Sequence, residues 1–345
     1  MASRSQIALS AGEAPALPHA RPRGQGTPVQ AGAVALARRI GPLLATWLLP
    51  FVLVLYLALK GGGYDLVVRS EVAIAIWWIV LLGAVAGLLP VARIGPASWA
   101  AVGLLGALAL WTGLGIGWSE SAERSVAELG RGATYLGVLT LALLVGGHGA
   151  LRRTVGAVAT AIALVAALAL LSRFEPSLFP PDPSPQFMPS IQERLNYPLN
   201  YWNGLAALVA MGVPLLAWAA AAARTILARA PATAALPVAA LTIVLTLSRA
   251  GAGAAAVAVL ALLALHPRRL ALLPPLVFGG AGSAILIAAT LQRDALERGL
   301  LNATAERQGD EMLAMTLVVC AGVGLLSAAV ALAERSALLR WPHVP

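Results

Sequence analysis

The chain has 345 residues, 59% hydrophobic and 11% charged, with a mean hydropathy of +0.82. A soluble domain carries roughly a quarter charged residues, so this composition excludes an ordinary water-soluble enzyme and indicates a membrane protein. The net charge of +9 is carried by arginines and a single lysine, Lys60; in a membrane chain such an excess reports topology, and no nucleic-acid partner is expected. The one cysteine, Cys320, lies in an apolar run, which rules out an intrachain disulfide and a cysteine metal cluster.

Residues 1–40 are rich in Ala, Gly, Pro and Arg without a sustained helical period, and are expected to form a disordered cytoplasmic tail with no cleaved signal. A membrane span needs roughly 17–25 predominantly apolar residues. Ten stretches meet or approach this: 41–59, 72–90, 97–116, 132–147, 154–172, 204–223, 231–247, 250–265, 270–291 and 312–333. Residues 231–265 as one helix would be about 50 Å long, too much for a hydrocarbon core of roughly 30 Å, so they are split at Leu247-Ser248-Arg249-Ala250. The expected fold is therefore all-α, a polytopic transmembrane domain over 41–333 with about ten helices, closed by a second cytoplasmic tail at 334–345.

Charge assigns the loops to sides. The N-terminal tail, Arg93, Arg152, Arg153, Arg224, Arg229, Arg268, Arg269 and the C-terminal tail together carry +12, and the remaining loops −3. The positive-inside rule then puts both termini in the cytoplasm. All charged residues fall outside the ten stretches. An ion-coupled transporter usually keeps carboxylates or histidines at mid-membrane depth, so the pattern argues against one. The external side has loops 60–71, 117–131, 173–203 and 292–311 and the turn Ser248-Arg249, while the cytoplasmic loops are short. A site would face outward.

Arg249 lies on the external side and opens a helix, where the macrodipole disfavours a cation. It is either a snorkelling side chain or a fixed guanidinium for a phosphate. Ser248 before it suits a helix N-cap. In RLNYPLNYWNGLA, residues 194–206, an arginine, three asparagines and three aromatic residues stand at the mouth of an apolar helix. Asn203 has an ordinary reading as an N-cap, Tyr197, Tyr201 and Trp202 as interface-belt aromatics, and Arg194 as a partner of Glu193. Taken together, arginine, amides and flat rings at one membrane surface suit a ligand that carries both phosphate and sugar.

This segment resembles the signature R-x-x-G-x-x-x-N-P-N-x-x-A of the O-antigen ligase and Wzy-type polymerase superfamily, with Arg194, Asn203 and Ala206 on its arginine, second asparagine and alanine. LTLSRAG at 245–251 is similar to the family's Ser-Arg-Gly turn between two spans, and WSESAERSVAELGRGATYL at 118–136 to its short external loop. The resemblance covers most of 41–333. It implies an enzyme of the bacterial inner membrane that takes a glycan from an undecaprenyl diphosphate carrier on the outer face. The glycan passes to an acceptor hydroxyl without nucleotide, metal or other cofactor. Arg194 and Arg249 would be the catalytic pair on the diphosphate, with Tyr197, Tyr201, Asn203 and Ser248 around the substrate, and membrane lipids as further partners.

The chain departs from the family pattern. Tyr197 stands where glycine is common, and Tyr201-Trp202 where Asn-Pro is common. The late external loop with its histidine is missing: His19, His148, His266 and His343 all fall in expected cytoplasmic segments. Several accounts stay open: a truncated or split member whose partner chain supplies the loop, an inactive relative, or an enzyme that uses an external carboxylate such as Glu193 or Asp310. A non-catalytic lipid-carrier binder or assembly partner is the alternative class, and a transporter a more distant one.

Overall fold

A computed structural model describes residues 44–85, 95–145, 149–180 and 191–335. The expected N-terminal tail, most of the expected C-terminal one and 181–190 of the expected external loop 173–203 lie outside the described residues. Among those described, the fold is all-helical. A π-helical turn, Leu44–Leu48, leads into α1, Leu49–Leu59. The order continues with α2 (Leu66–Val85), α3 (Pro96–Gly115), α4 (Ala122–Leu144), α5 (Ala150–Phe174) and α6 (Trp202–Ala222). It ends with α7 (Ile226–Leu245), α8 (Arg249–Leu265), α9 (Leu273–Thr290), the single turn α10 (Asp294–Glu297) and α11 (Ala303–Arg335).

Seven of these helices are long and apolar enough to cross a membrane: α2, α3, α5, α6, α7, α9 with its preceding turn, and α11. Two others, Ala45–Leu59 and Arg249–Leu265, are apolar but shorter. The chain is a multi-pass membrane protein. In hydrocarbon every backbone polar group needs an internal partner, and the Ala- and Leu-rich sequence meets that demand with helices, its best-favoured conformation.

Helix starts follow capping chemistry rather than the edge of the apolar runs. Asp65 Oδ1 accepts from the N–H groups of Val67 and Val68 at 2.8 and 3.2 Å, so α2 begins inside the expected loop 60–71. Ser121 accepts from the Arg124 N–H at 3.4 Å, which starts α4 inside the expected loop 117–131. Asn302 accepts from the Ala305 N–H at 2.9 Å and starts α11 inside the expected loop 292–311. These loops are thus partly helix, because a capped helix continues past the point where its side chains turn polar.

The main core is built around α7, which packs against α5, α6, α9 and α11. Its buried face presents Leu236, Leu241, Thr242, Ile243 and Leu245. A smaller core, Val72, Ile76, Leu141 and Val145, joins α2 to α4, while α3 packs on α4 and buries none of its own residues. Between the two cores α1 lies against α5; Thr154 Oγ1 of α5 donates to the Thr46 carbonyl at 2.9 Å, and Arg153 Nε donates to Thr46 Oγ1 at 2.7 Å.

One charge lies deeper than the sequence pattern implies. Helix α7 starts at Ile226 and takes in Arg229, which is buried and forms a two-pronged ion pair with Glu334 of α11. One turn further on, the hydroxyls of Thr233 and Ser327 share a hydrogen bond of 2.8 Å, also buried. The pairing offsets the cost of burying these groups, although Arg229 Nε itself is buried without a hydrogen-bond partner.

Candidate anion cavity

The break between α7 and α8 is a three-residue turn, Thr246-Leu247-Ser248. Thr246 folds back, its hydroxyl donating to the Ile243 carbonyl at 2.6 Å. Leu247 adopts φ +53°, a left-handed conformation that is unusual and strained for a branched side chain. Ser248 then caps α8, its Oγ accepting from the Gly251 N–H at 3.2 Å. The chain reverses here because the backbone of α7 is spent and a fresh cap begins the next helix.

The cap also joins two helices. Ser248 Oγ donates to Asn203 Oδ1 at 2.8 Å. Asn203 is therefore not the N-cap of α6: the helix starts at Trp202, Tyr201 holds the cap position without a side-chain bond, and the amide reaches sideways to α8. Gly251 makes this approach feasible. A Cβ there would stand 2.5 Å from the Ala206 Cβ, so only glycine lets the first turn of α8 lie against α6.

An open cavity of about 690 Å³ results, lined by Arg194, Asn203, Ser248 and Arg249 together with Ile243, Val244, Leu247, Ala250 and Ala252. Two arginines border one space, and among the described residues no carboxylate shares its lining. The Arg194 guanidinium lies over the Trp202 ring, 5.0 Å from its centroid, a cation–π contact that holds the charge at the rim. Arg249 is exposed at the first residue of α8. Among the described residues neither arginine forms an ion pair, so Arg194 and Glu193 are not partners despite their adjacency. The first N–H groups of α8 add positive potential at the same place.

The tyrosines do other work. Tyr197 packs edge-on against Phe179 at 4.9 Å between centroids. Tyr201 meets Tyr64 edge-on at 6.0 Å and tilts against Trp202 at 5.6 Å. Neither lines the cavity; both support the loop that carries Arg194. Tyr64, from the turn before α2, had no mark in the sequence beyond being aromatic, and its role appears only once the chain has folded back.

Glu193 and Asp310, the carboxylates weighed as bases, are not among the residues of the cavity lining. Glu193 is exposed. Glu175, just past α5, shares a hydrogen bond with Asp310 of α11 that, with burial and the nearby negative charges of Asp310 and Glu306, raises its carboxyl above the usual range. The cavity can thus bind and polarise an anion, while its own lining offers cations, amide and hydroxyl groups. No protein-family model, curated protein or solved structure matches the chain, and the site stands on its own chemistry.

Proposed function

We propose that the protein binds an undecaprenyl diphosphate-linked glycan at this cavity, on the outer face of a bacterial inner membrane, and acts as a glycan ligase or polymerase of the O-antigen ligase type. The observation that carries the reading is that Arg194 and Arg249 border one open cavity whose lining also includes Ile243, Val244 and Leu247. A diphosphate can accept paired hydrogen bonds from each planar guanidinium, and the first N–H groups of α8 favour the same anion. Ile243, Val244 and Leu247 offer apolar surface to a prenyl chain. During transfer the diphosphate is the leaving group, and fixed cations stabilise the charge that grows on it.

In this reading the chain crosses the membrane ten times with both termini in the cytoplasm, the shorter helices α1 and α8 and the amphipathic α4 counting as crossings. The charge difference between the two sets of loops supports that orientation. Cysteines placed at Ala303 and Ala228 test it: an impermeant thiol reagent added to intact cells should label the first and not the second, and the reverse pattern would remove the external site.

A second reading, a carrier binder or assembly partner without transfer activity, is favoured by the cavity lining, which supplies no proton acceptor for an acceptor hydroxyl. Both readings share the donor site. A charge-assisted phosphate contact contributes about 1.5–3 kcal/mol, so Arg194→Ala and Arg249→Ala should each weaken undecaprenyl diphosphate binding roughly 10- to 150-fold, with lysine recovering only part. Unchanged binding in both variants would make them surface arginines. Glycan transfer by the purified chain separates the two readings.

A further inference from the structure

The loop that carries Arg194 is tied to a distant part of the chain by one side chain. Arg173, the penultimate residue of α5, donates from Nη2 to the Glu193 carbonyl at 3.0 Å and from Nη1 to the Leu296 carbonyl at 3.4 Å. Beside it, Gln192 Nε2 donates to the Gly299 carbonyl at 3.1 Å. Gly299 has φ +64°, and a Cβ there would run into the Arg173 guanidinium and the Gln192 carbonyl, so the glycine leaves the room that the guanidinium fills. Leu296 is fixed in turn: it is buried, and its N–H donates to Gln308 Oε1 of α11 at 3.0 Å. On the other flank of Arg194, the Leu195 N–H donates to the Leu245 carbonyl at the end of α7 at 2.9 Å. Arg194 therefore sits between a carbonyl held by Arg173 and an N–H held by α7.

We infer that Arg173 is a positioning residue for the cavity: it touches no ligand, and it fixes the backbone from which Arg194 reaches the anion. The ligand half of this inference rests on the diphosphate reading above; the backbone half does not. A guanidinium reaches two carbonyls on different segments from separate nitrogens of one rigid plane, whereas a lysine ammonium would have to serve both from a single nitrogen. Without the bridge, residues 191–194 swing, Arg194 leaves the face of Trp202, and binding must order the loop anew, which lowers affinity with no contact to the ligand lost.

The test uses the full chain in nanodiscs with undecaprenyl diphosphate as the probe, and follows both binding and amide hydrogen exchange. Arg173→Gln should weaken binding on the order of 10-fold and speed exchange in 191–200, with Arg173→Lys between it and the wild type. In an Arg194→Ala background, Arg173→Gln should change binding less than about 2-fold, because it acts through a side chain already removed. Exchange in 191–200 that stays unchanged in Arg173→Gln overturns the inference. So does a binding loss that adds to that of Arg194→Ala, or a loss of protection spread over the whole chain, which would make Arg173 a general brace. Failure of the wild type to bind the probe would sink the diphosphate reading alone, since the exchange measurement still decides whether Arg173 holds this segment.

Discussion

The helices around α7 and the group α2–α3–α4 share a composition, yet they are built to different tolerances. Around α7, Gly279 of α9 is pressed on by Leu236, whose Cδ1 and Cβ would stand 2.6 and 2.8 Å from an added Cβ, and the hydroxyls of Thr233 and Ser327 pair inside the packing. In α3, Gly103 and Gly106 face open space. Glycine therefore means different things at these positions: a contact surface at Gly279 of α9, unfilled positions at Gly103 and Gly106 of α3. The anion cavity belongs to the first region, because two charged side chains can be held in common only where their helices cannot slide.

That contrast is open to attack, beginning with the largest effect. Arg229→Ala removes the buried member of the Arg229–Glu334 pair and should cost about 1.5–3 kcal/mol, read from unfolding in mixed micelles. Arg131→Ala breaks the exposed Arg131–Glu128 pair of α4, 3.0 Å, and should cost under about 1 kcal/mol. Equal losses would erase the difference between the regions. Next, Gly279→Ala forces Leu236 aside and should cost about 1–3 kcal/mol, whereas Gly106→Ala should leave stability unchanged or raise it by up to about 1 kcal/mol. A destabilised Gly106→Ala would reveal a neighbour on α3 that the isolated chain lacks.

The smallest effect concerns pH at the junction of α5 and α11. Glu175 keeps its proton to a higher pH in the folded chain than in the unfolded one, chiefly through its hydrogen bond to Asp310. Its contribution is complete below the unfolded carboxylate pKa and is lost as pH rises through the folded one. Thermal unfolding should therefore show a slight gain on acidification across the range just above ordinary carboxylate values. Asp310→Asn should flatten that dependence, and an unaltered profile would mean the two carboxyls titrate independently.

Much of this architecture is written in the sequence, though not evenly. Within the described residues each of the ten apolar stretches falls on a helix, because a helix satisfies the backbone of a long Ala/Leu run internally in lipid. The starts of α2, α4 and α11 lie ahead of their apolar runs, because Asp65, Ser121 and Asn302 cap helices that continue through charged residues. Arg194, Asn203, Ser248 and Arg249 stand out as polar residues beside apolar runs, and the structure gathers all four around one cavity. Tyr197 and Tyr201 carry the same kind of signal but turn to other aromatic rings. Arg173 was invisible in its role: its partners are the backbone carbonyls of Glu193 and Leu296, and a carbonyl leaves no trace in residue identity.

The Arg229–Glu334 pair also sets an order of events during synthesis. The two residues are 105 positions apart, with α8, α9 and most of α11 between them. At a translation rate of roughly 5–20 residues per second, Arg229 is made about 5–20 s before its carboxylate exists. Throughout that interval α7 carries an uncompensated cation at its end, which favours holding that end in the lipid headgroups or against the insertion machinery. Helix α11 is then the one that allows the central helix to settle, and the packing around α7 waits until α11 has been made.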